Sequence, residues 1–181
     1  IGAKLKEHET KGAEVVIALD VSNSMLAQDY SPNRLERAKL AISRLVDKLR
    51  DDRIGLIVFA GSSYVQLPIT TDYVSAKMFL NTISTESVPI QGTALADAIN
   101  TAARSFSAQS EKSRAIIVIT DGENHEDDPV KAAKQAAELG IKVYTIGVGS
   151  PEGKPIPLKD GGLMKDREGN IVVTRLDENT L

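Results

Sequence analysis

Val15-Val16-Ile17-Ala18-Leu19-Asp20-Val21-Ser22-Asn23-Ser24 is the stretch on which the fold turns. Its first five residues form an unbroken apolar run. Such a run predicts a strand covered on both faces, because a strand with one wet face alternates apolar and polar residues. At Asp20 the pattern changes. An aspartate and two serines, Ser22 and Ser24, follow at every second position. Alone, this spacing leaves three readings open: loop side chains bonding their own backbone, a nucleophile, or a cradle for a cation.

Outward from this strand the period changes. From Arg34, the residues Leu35, Ala38, Ile42, Leu45, Val46 and Leu49 share one helical face. Ile54–Ala60 predicts a second strand, Gly61-Ser62 a turn, and Tyr64–Leu67 a short strand ended by Pro68. Asp72 is the expected cap of a helix through Leu80. Gly92-Thr93 opens another helix, with Thr93 as its N-cap and Leu95, Ala98, Ile99, Ala102 and Phe106 on one face. Ala115–Ile119 is a third buried strand, ending at Thr120-Asp121-Gly122. Val130–Leu139 is a helix stopped by Gly140, and Ile141–Ile146 is a fourth strand.

Apolar strands alternating with amphipathic helices imply right-handed crossovers. The expected fold is α/β, doubly wound, with a mostly parallel central sheet and helices on both faces. Beyond Ser150 the composition shifts to Gly and Pro. Asp166–Asn170 reads as a turn between Leu163–Lys165 and Ile171–Thr174, so residues 150–175 form a hairpin extension. Residues 1–13 read as a solvated arm. The whole, 1–181, is expected to be one domain, cut from a longer protein: it starts without methionine and stops just after Asp177, an expected N-cap.

Composition narrows the function. Of 181 residues, 41% are hydrophobic and 26% charged, as in a soluble globular domain. The net charge of −3, without a strongly basic block, gives no reason to expect nucleic acid. The absence of cysteine excludes thiolate metal sites and cysteine nucleophiles.

In an open α/β sheet, ligands bind beyond the carboxyl ends of the strands. Asp20, Ser22, Ser24, Asp121 and Thr93 are all expected at that edge. They offer two carboxylates and three hydroxyls, without nitrogen or sulfur. Hard oxygen donors select Mg²⁺, Mn²⁺ or Ca²⁺. Each piece also has a plain structural explanation: Thr93 as a cap, Asp121-Gly122 as a turn. Their joint placement is what favours a metal site.

Asp20-Val-Ser22-Asn-Ser24, Gly92-Thr93-Ala-Leu and Thr120-Asp121-Gly122-Glu123 together resemble the metal-ion-dependent adhesion site of the von Willebrand factor A domain family. The likeness covers nearly the whole chain. ALDVSNSML, Pro32-Asn33-Arg34-Leu35 and TDGENHED further resemble the bacterial aerotolerance (Bat) membrane proteins. The resemblance implies that Ser22, Ser24 and Thr93 offer hydroxyls to Mg²⁺ (or Mn²⁺ or Ca²⁺). Asp20 and Asp121 would hold it directly or through waters, and an Asp or Glu of a protein partner would complete the shell. It also implies a parent anchored in the bacterial inner membrane, facing either side, and partners among other Bat-type proteins or AAA+ ATPases of the MoxR type.

The expected function is therefore metal-dependent protein–protein interaction, without catalysis. The alternative is a metal-dependent phosphoester hydrolase on the same edge, and a third reading is a structural subunit with a silent metal site. A haloacid-dehalogenase-type phosphatase needs a second Asp where Ser22 stands. A receiver domain needs acidic residues nearer the strand end than Glu14. A serine hydrolase needs a histidine base, and the chain has only His8, in the arm, and His125, in an acidic loop. Glu126-Asp127-Asp128 precedes a helix, where negative charge is favoured. The expected rim of the site comprises the Met25–Tyr30 loop, the Ser87–Gln91 loop and Glu123–His125.

Overall fold

The computed structural model describes residues 12–123 and 127–181. The expected arm, apart from its last two residues, and His125 lie outside them. A five-stranded, mostly parallel sheet forms the centre, with the order β3-β2-β1-β4-β5. Its strands are β1 (Glu14–Asp20), β2 (Arg53–Phe59), β3 (Ser63–Thr70), β4 (Arg114–Thr120) and β5 (Ile141–Gly147). Only β3 runs antiparallel. The helices are α1 (Arg34–Val46), α2 (Tyr73–Thr82), α3 (Leu95–Ser105) and α4 (Pro129–Glu138), with short 3₁₀ turns at Asn23–Leu26 and Thr85–Ser87.

The apolar run in β1 is explained by its two neighbours and two covered faces. Ile17 and Leu19 pack into the core with Leu35, Ile42 and Leu80 of α1 and α2. Val16 and Ala18 point the other way, into a core with Ile99, Ala102 and Ala136 of α3 and α4. Alternate side chains thus enter different cores, so neither face tolerates a polar residue.

One difference from expectation concerns a sheet edge. The third strand does not stop before Pro68. It continues to Thr70 through a register shift against β2. An edge strand tolerates a proline, which lacks an N–H, where a central strand does not. β5, the strand at the other edge, keeps one face open: Tyr144 is 52% and Ile146 48% exposed. Apolar composition alone does not separate a central strand from an edge.

The expected cap at Asp72 is present, and the acidic run before α4 supplies a cap of its own. Asp72 accepts from Ser75 N–H and Asp128 from Lys131 N–H. Asp127 accepts from Asp97 N–H in the first turn of α3. At least part of the acidic run before α4 therefore serves helix starts.

The extension after β5 is more elaborate than one hairpin. The turn over Asp166–Asn170 forms, with Asp166 N–H donating to the Asn170 carbonyl and a bridge between Lys165 and Ile171. Thr174, however, pairs with Lys154 rather than with the strand before the turn. The pairing makes β6 (Lys154–Pro155) and β7 (Val173–Thr174), a second small sheet. Asp177 caps the final turn, accepting from Asn179 N–H and the Thr180 hydroxyl.

Candidate functional site

Strand order reverses between β1 and β4. From β1 the chain crosses to β2 on one side, and later returns to place β4 on the other. The crevice at such a reversal lies beyond the carboxyl ends of the two strands. Asp20 ends β1 and Asp121 directly follows Thr120, the last residue of β4, so the sheet itself brings the two aspartates together.

Asp20 is completely buried. Its Oδ1 accepts from Ser22 N–H at 2.9 Å and its Oδ2 from the Thr120 hydroxyl at 2.7 Å. Neither donor is charged. Burial first, and then the charge of Asp121, push the Asp20 carboxyl up to about 7, against the lowering effect of those hydrogen bonds. Asp121 is buried too and is raised by desolvation. The bond from Ser24 lowers it, Glu123 raises it and Arg34 lowers it. The hydroxyls of Ser22 and Ser24 are 3.0 Å apart. Asp20, Ser22, Ser24 and Asp121 thus form one buried cluster.

Thr93 reaches the same edge by another route. It is 4% exposed and, contrary to the sequence expectation, does not cap α3. The N-cap is Ala94, without a side-chain bond, because the chain enters the helix one residue later. Its loop is pinned instead: Ala94 N–H donates to the Ala60 carbonyl, Gly61 N–H to Ile90, and Asn23 N–H to Gln91 Oε1. The last bond ties the Thr93 loop to the residue between Ser22 and Ser24. Gly92 has φ 131°, a conformation that glycine adopts at little cost. Of the expected rim, Met25 and Ala27 are buried and Ile90 is exposed. The rim residues 124 and 125 lie outside the described residues.

Arg34 is the component that sequence reasoning treated only as a helix start. It is 0% exposed. Its Nη1 donates to Asp121 Oδ2 and to the Thr174 hydroxyl, both at 3.0 Å. Its Nη2 donates to Asp29 Oδ2 at 2.8 Å and to the Thr174 carbonyl at 3.2 Å, and Nε donates to Asp29 Oδ1 at 2.9 Å. Burial would lower the guanidinium, but Asp29 and Asp121 outweigh it and raise it further. Burial would likewise raise Asp29, but Arg34 and Ser150 N–H lower it below the usual carboxylate range. Gly149 makes room: a Cβ there would stand 3.0 Å from the guanidinium carbon. The legible signal was a cation in a helix's first turn, where the macrodipole disfavours it unless carboxylates compensate.

The donor set fits a hard divalent cation. Arg34 is shared between Asp29 and Asp121, and Asp20 bonds only neutral donors. With Asp121 as its carboxylate neighbour, Asp20 leaves the cluster short of positive charge. Among the described residues no three His, Cys, Asp or Glu side chains are arranged so that they alone could hold a metal ion. Any cation here would therefore rely on hydroxyls beside two carboxylates. A separate apolar cavity of about 770 Å³, between β5 and α4, shares no residue with this cluster.

Residues 15–123 match the family model of the von Willebrand factor type A domain. The crystal structure of the conserved hypothetical protein BatB from Bacteroides thetaiotaomicron is 61% identical. The match covers 93% of this chain and 83% of that one, with a TM-score of 0.91. An aerotolerance-related membrane protein from Bacteroides fragilis is 58% identical, at 93% and 84% coverage, also with a TM-score of 0.91. An uncharacterized protein of Borreliella burgdorferi is 35% identical over 155 residues, covering 84% of this chain and 45% of the relative. The chain spans about half the length of the curated relatives it matches. Among the described residues no helix is long and apolar enough to cross a membrane. The chain belongs to the von Willebrand factor type A domain family, in its bacterial aerotolerance (Bat) branch.

Proposed function

We propose that this domain is a divalent-cation-dependent protein-interaction module. Asp20, Ser22, Ser24, Thr93 and Asp121 would hold Mg²⁺, with Mn²⁺ or Ca²⁺ as substitutes, and a partner's Asp or Glu would complete the shell. One observation carries this reading. Asp20 is fully buried beside a second carboxylate and bonds only neutral donors, at a reversal of strand order. A divalent cation supplies the missing charge. With two carboxylates bound, formal neutrality is reached while a coordination position remains for an outside ligand.

The proposal assigns no catalysis. Ser22 stands two positions after Asp20, where a phosphatase would need an acid, and its hydroxyl lies against that of Ser24. The membrane designation of the Bacteroides fragilis relative supports a parent anchored in a bacterial inner membrane, on either face. Within that setting the partners are other Bat-type proteins or a MoxR-type ATPase, and nucleic acid is not among them.

Calorimetry with Mg²⁺ and Mn²⁺ tests the site: one binding event in the wild type, none in Asp20→Ala. Equal binding by the variant removes the assignment. Capture from bacterial membranes with the full-length protein then tests the interaction. Recovery of the same partner in Mg²⁺ and in chelator would place the contact elsewhere. Turnover of a generic phosphoester, abolished by Asp20→Ala, would replace the proposal with the hydrolase reading.

A further inference from the structure

Arg34 holds two things at once. One is Asp121, a member of the cation cluster. The other is Thr174, in the small sheet formed by the extension after β5. All five N–H donors of a guanidinium are engaged, on Asp29, Asp121 and both oxygens of Thr174. The planar fork allows these bonds in one arrangement, so the three acceptors are positioned together.

Two further bonds bring the same segment onto the same loop. Asp177 N–H donates to the Asp121 carbonyl at 2.8 Å, and Arg175 N–H donates to Glu123 Oε1 at 3.0 Å. Side chain and backbone of Asp121 are therefore both in contact with elements that depend on residues 173–177. Undocking that segment would remove two acceptors from Arg34 and the donor from the Asp121 carbonyl. The Asp121 carboxylate would then lose the frame that orients it.

We infer that Arg34 is a positioning residue that couples cation binding to docking of the extension, so that the docked extension raises cation affinity and the bound cation tightens docking. The inference rests on the cation site proposed above. Coupling of this kind is reciprocal: the factor by which docking raises affinity is the factor by which the cation favours docking. The extension is consequently the element through which the site's occupancy can be read by the rest of the protein, or by a partner bound there.

The test combines calorimetry with amide hydrogen exchange on wild type, Arg34→Lys and Thr174→Val, in Mg²⁺ and in chelator. Arg34→Lys keeps the positive charge and loses the fork. Thr174→Val keeps the shape and loses both the acceptor for Arg34 and the 3.5 Å bond that the Thr174 hydroxyl donates to Asp121 Oδ2. In the wild type, Mg²⁺ should slow exchange at the Arg175 and Asp177 amides. Both variants should bind Mg²⁺ more weakly by about fivefold or more, and the slowing at the two amides should shrink by the same factor. A purely electrostatic role predicts unchanged affinity in Arg34→Lys and overturns the inference. So does Mg²⁺ binding to wild type with no change at the two amides. If Arg34→Lys does not fold, Thr174→Val decides alone by the same readouts. Absence of Mg²⁺ binding in the wild type is a separate result, which removes the cation site and the coupling with it.

Discussion

The Thr120 hydroxyl donates to Asp20 Oδ2 at 2.7 Å, across 100 positions of sequence, and accepts from Gly122 N–H at 3.1 Å. One small side chain thus orients the buried carboxylate at the end of β1 and shapes the turn that carries Asp121. Thr120→Val preserves volume in the strand but leaves Asp20 Oδ2 without this donor. The expected loss of stability is about 1–3 kcal/mol at pH 8 in chelator, measured by urea unfolding. An unchanged midpoint would show that water replaces the hydroxyl.

The raised carboxyl of Asp20 makes the metal-free domain pH-sensitive in a stated direction. Its folded value of about 7 lies above the ordinary carboxyl value of 3.8, so folding favours the protonated form. Stability from this group is fully present below about pH 3.8 and is lost as pH rises through 7. Asp121 is shifted the same way. Wild type in chelator should therefore lose stability relative to Asp20→Asn between pH 4 and pH 8, as read from paired denaturant curves. Mg²⁺ should restore the wild type more at pH 8 than at pH 5, because protons and cation compete for one carboxylate. Parallel curves for the two proteins would contradict the assignment of the titration to Asp20.

Chelation is expected to leave the fold intact. The two cores on either side of the sheet are built from apolar side chains of β1, β2, β4 and all four helices, none of them dependent on a cation. Far-ultraviolet dichroism in chelator should match that in Mg²⁺. Melting should rise with Mg²⁺ by mass action, worth about 2.7 kcal/mol at a concentration of one hundred times Kd. A disordered spectrum in chelator would make the cation a structural requirement.

Gly122→Ala should loosen the end of the extension. Gly122 has φ +82°, and a Cβ there would stand 2.4 Å from the Asp177 carbonyl oxygen. Backbone strain of about 1 kcal/mol is joined by a clash that only displacement of Asp177 relieves. Limited proteolysis should cut the variant after residue 176 or nearby sooner than the wild type. Equal cleavage rates would show that the turn absorbs the methyl group without moving Asp177.

How much of this was legible in the chain can be judged from single residues. Val15–Leu19 announced a strand covered on both faces, and its side chains do enter two separate cores. Local chemistry also marked the cap at Asp72, the favourable negative charge before α4, and the turn at Asp166–Asn170. Period and spacing along the sequence carry such information, because neighbours in the chain create these features. Asp20, Ser22, Ser24 and Asp121 could be nominated for one edge because every parallel strand must end on the same side of the sheet.

What the tertiary structure alone decided involves contacts between distant segments. The position of Thr93, inside a loop pinned to Ala60 and Asn23 rather than at a helix cap, depends on where β2 and β1 lie. The continuation of β3 through Pro68 and the exposure of Tyr144 depend on which strands became edges. The pairing of Thr174 with Lys154, and the placement of both oxygens of Thr174 on Arg34, join residues as far as 140 positions apart. Arg34 shows why. Its sequence neighbours reveal a cation at an unfavourable helix end and one carboxylate five residues away, Asp29. That it also grips Asp121 follows only from the crossover that sets α1 beside the end of β4, and no local pattern of residues encodes that geometry.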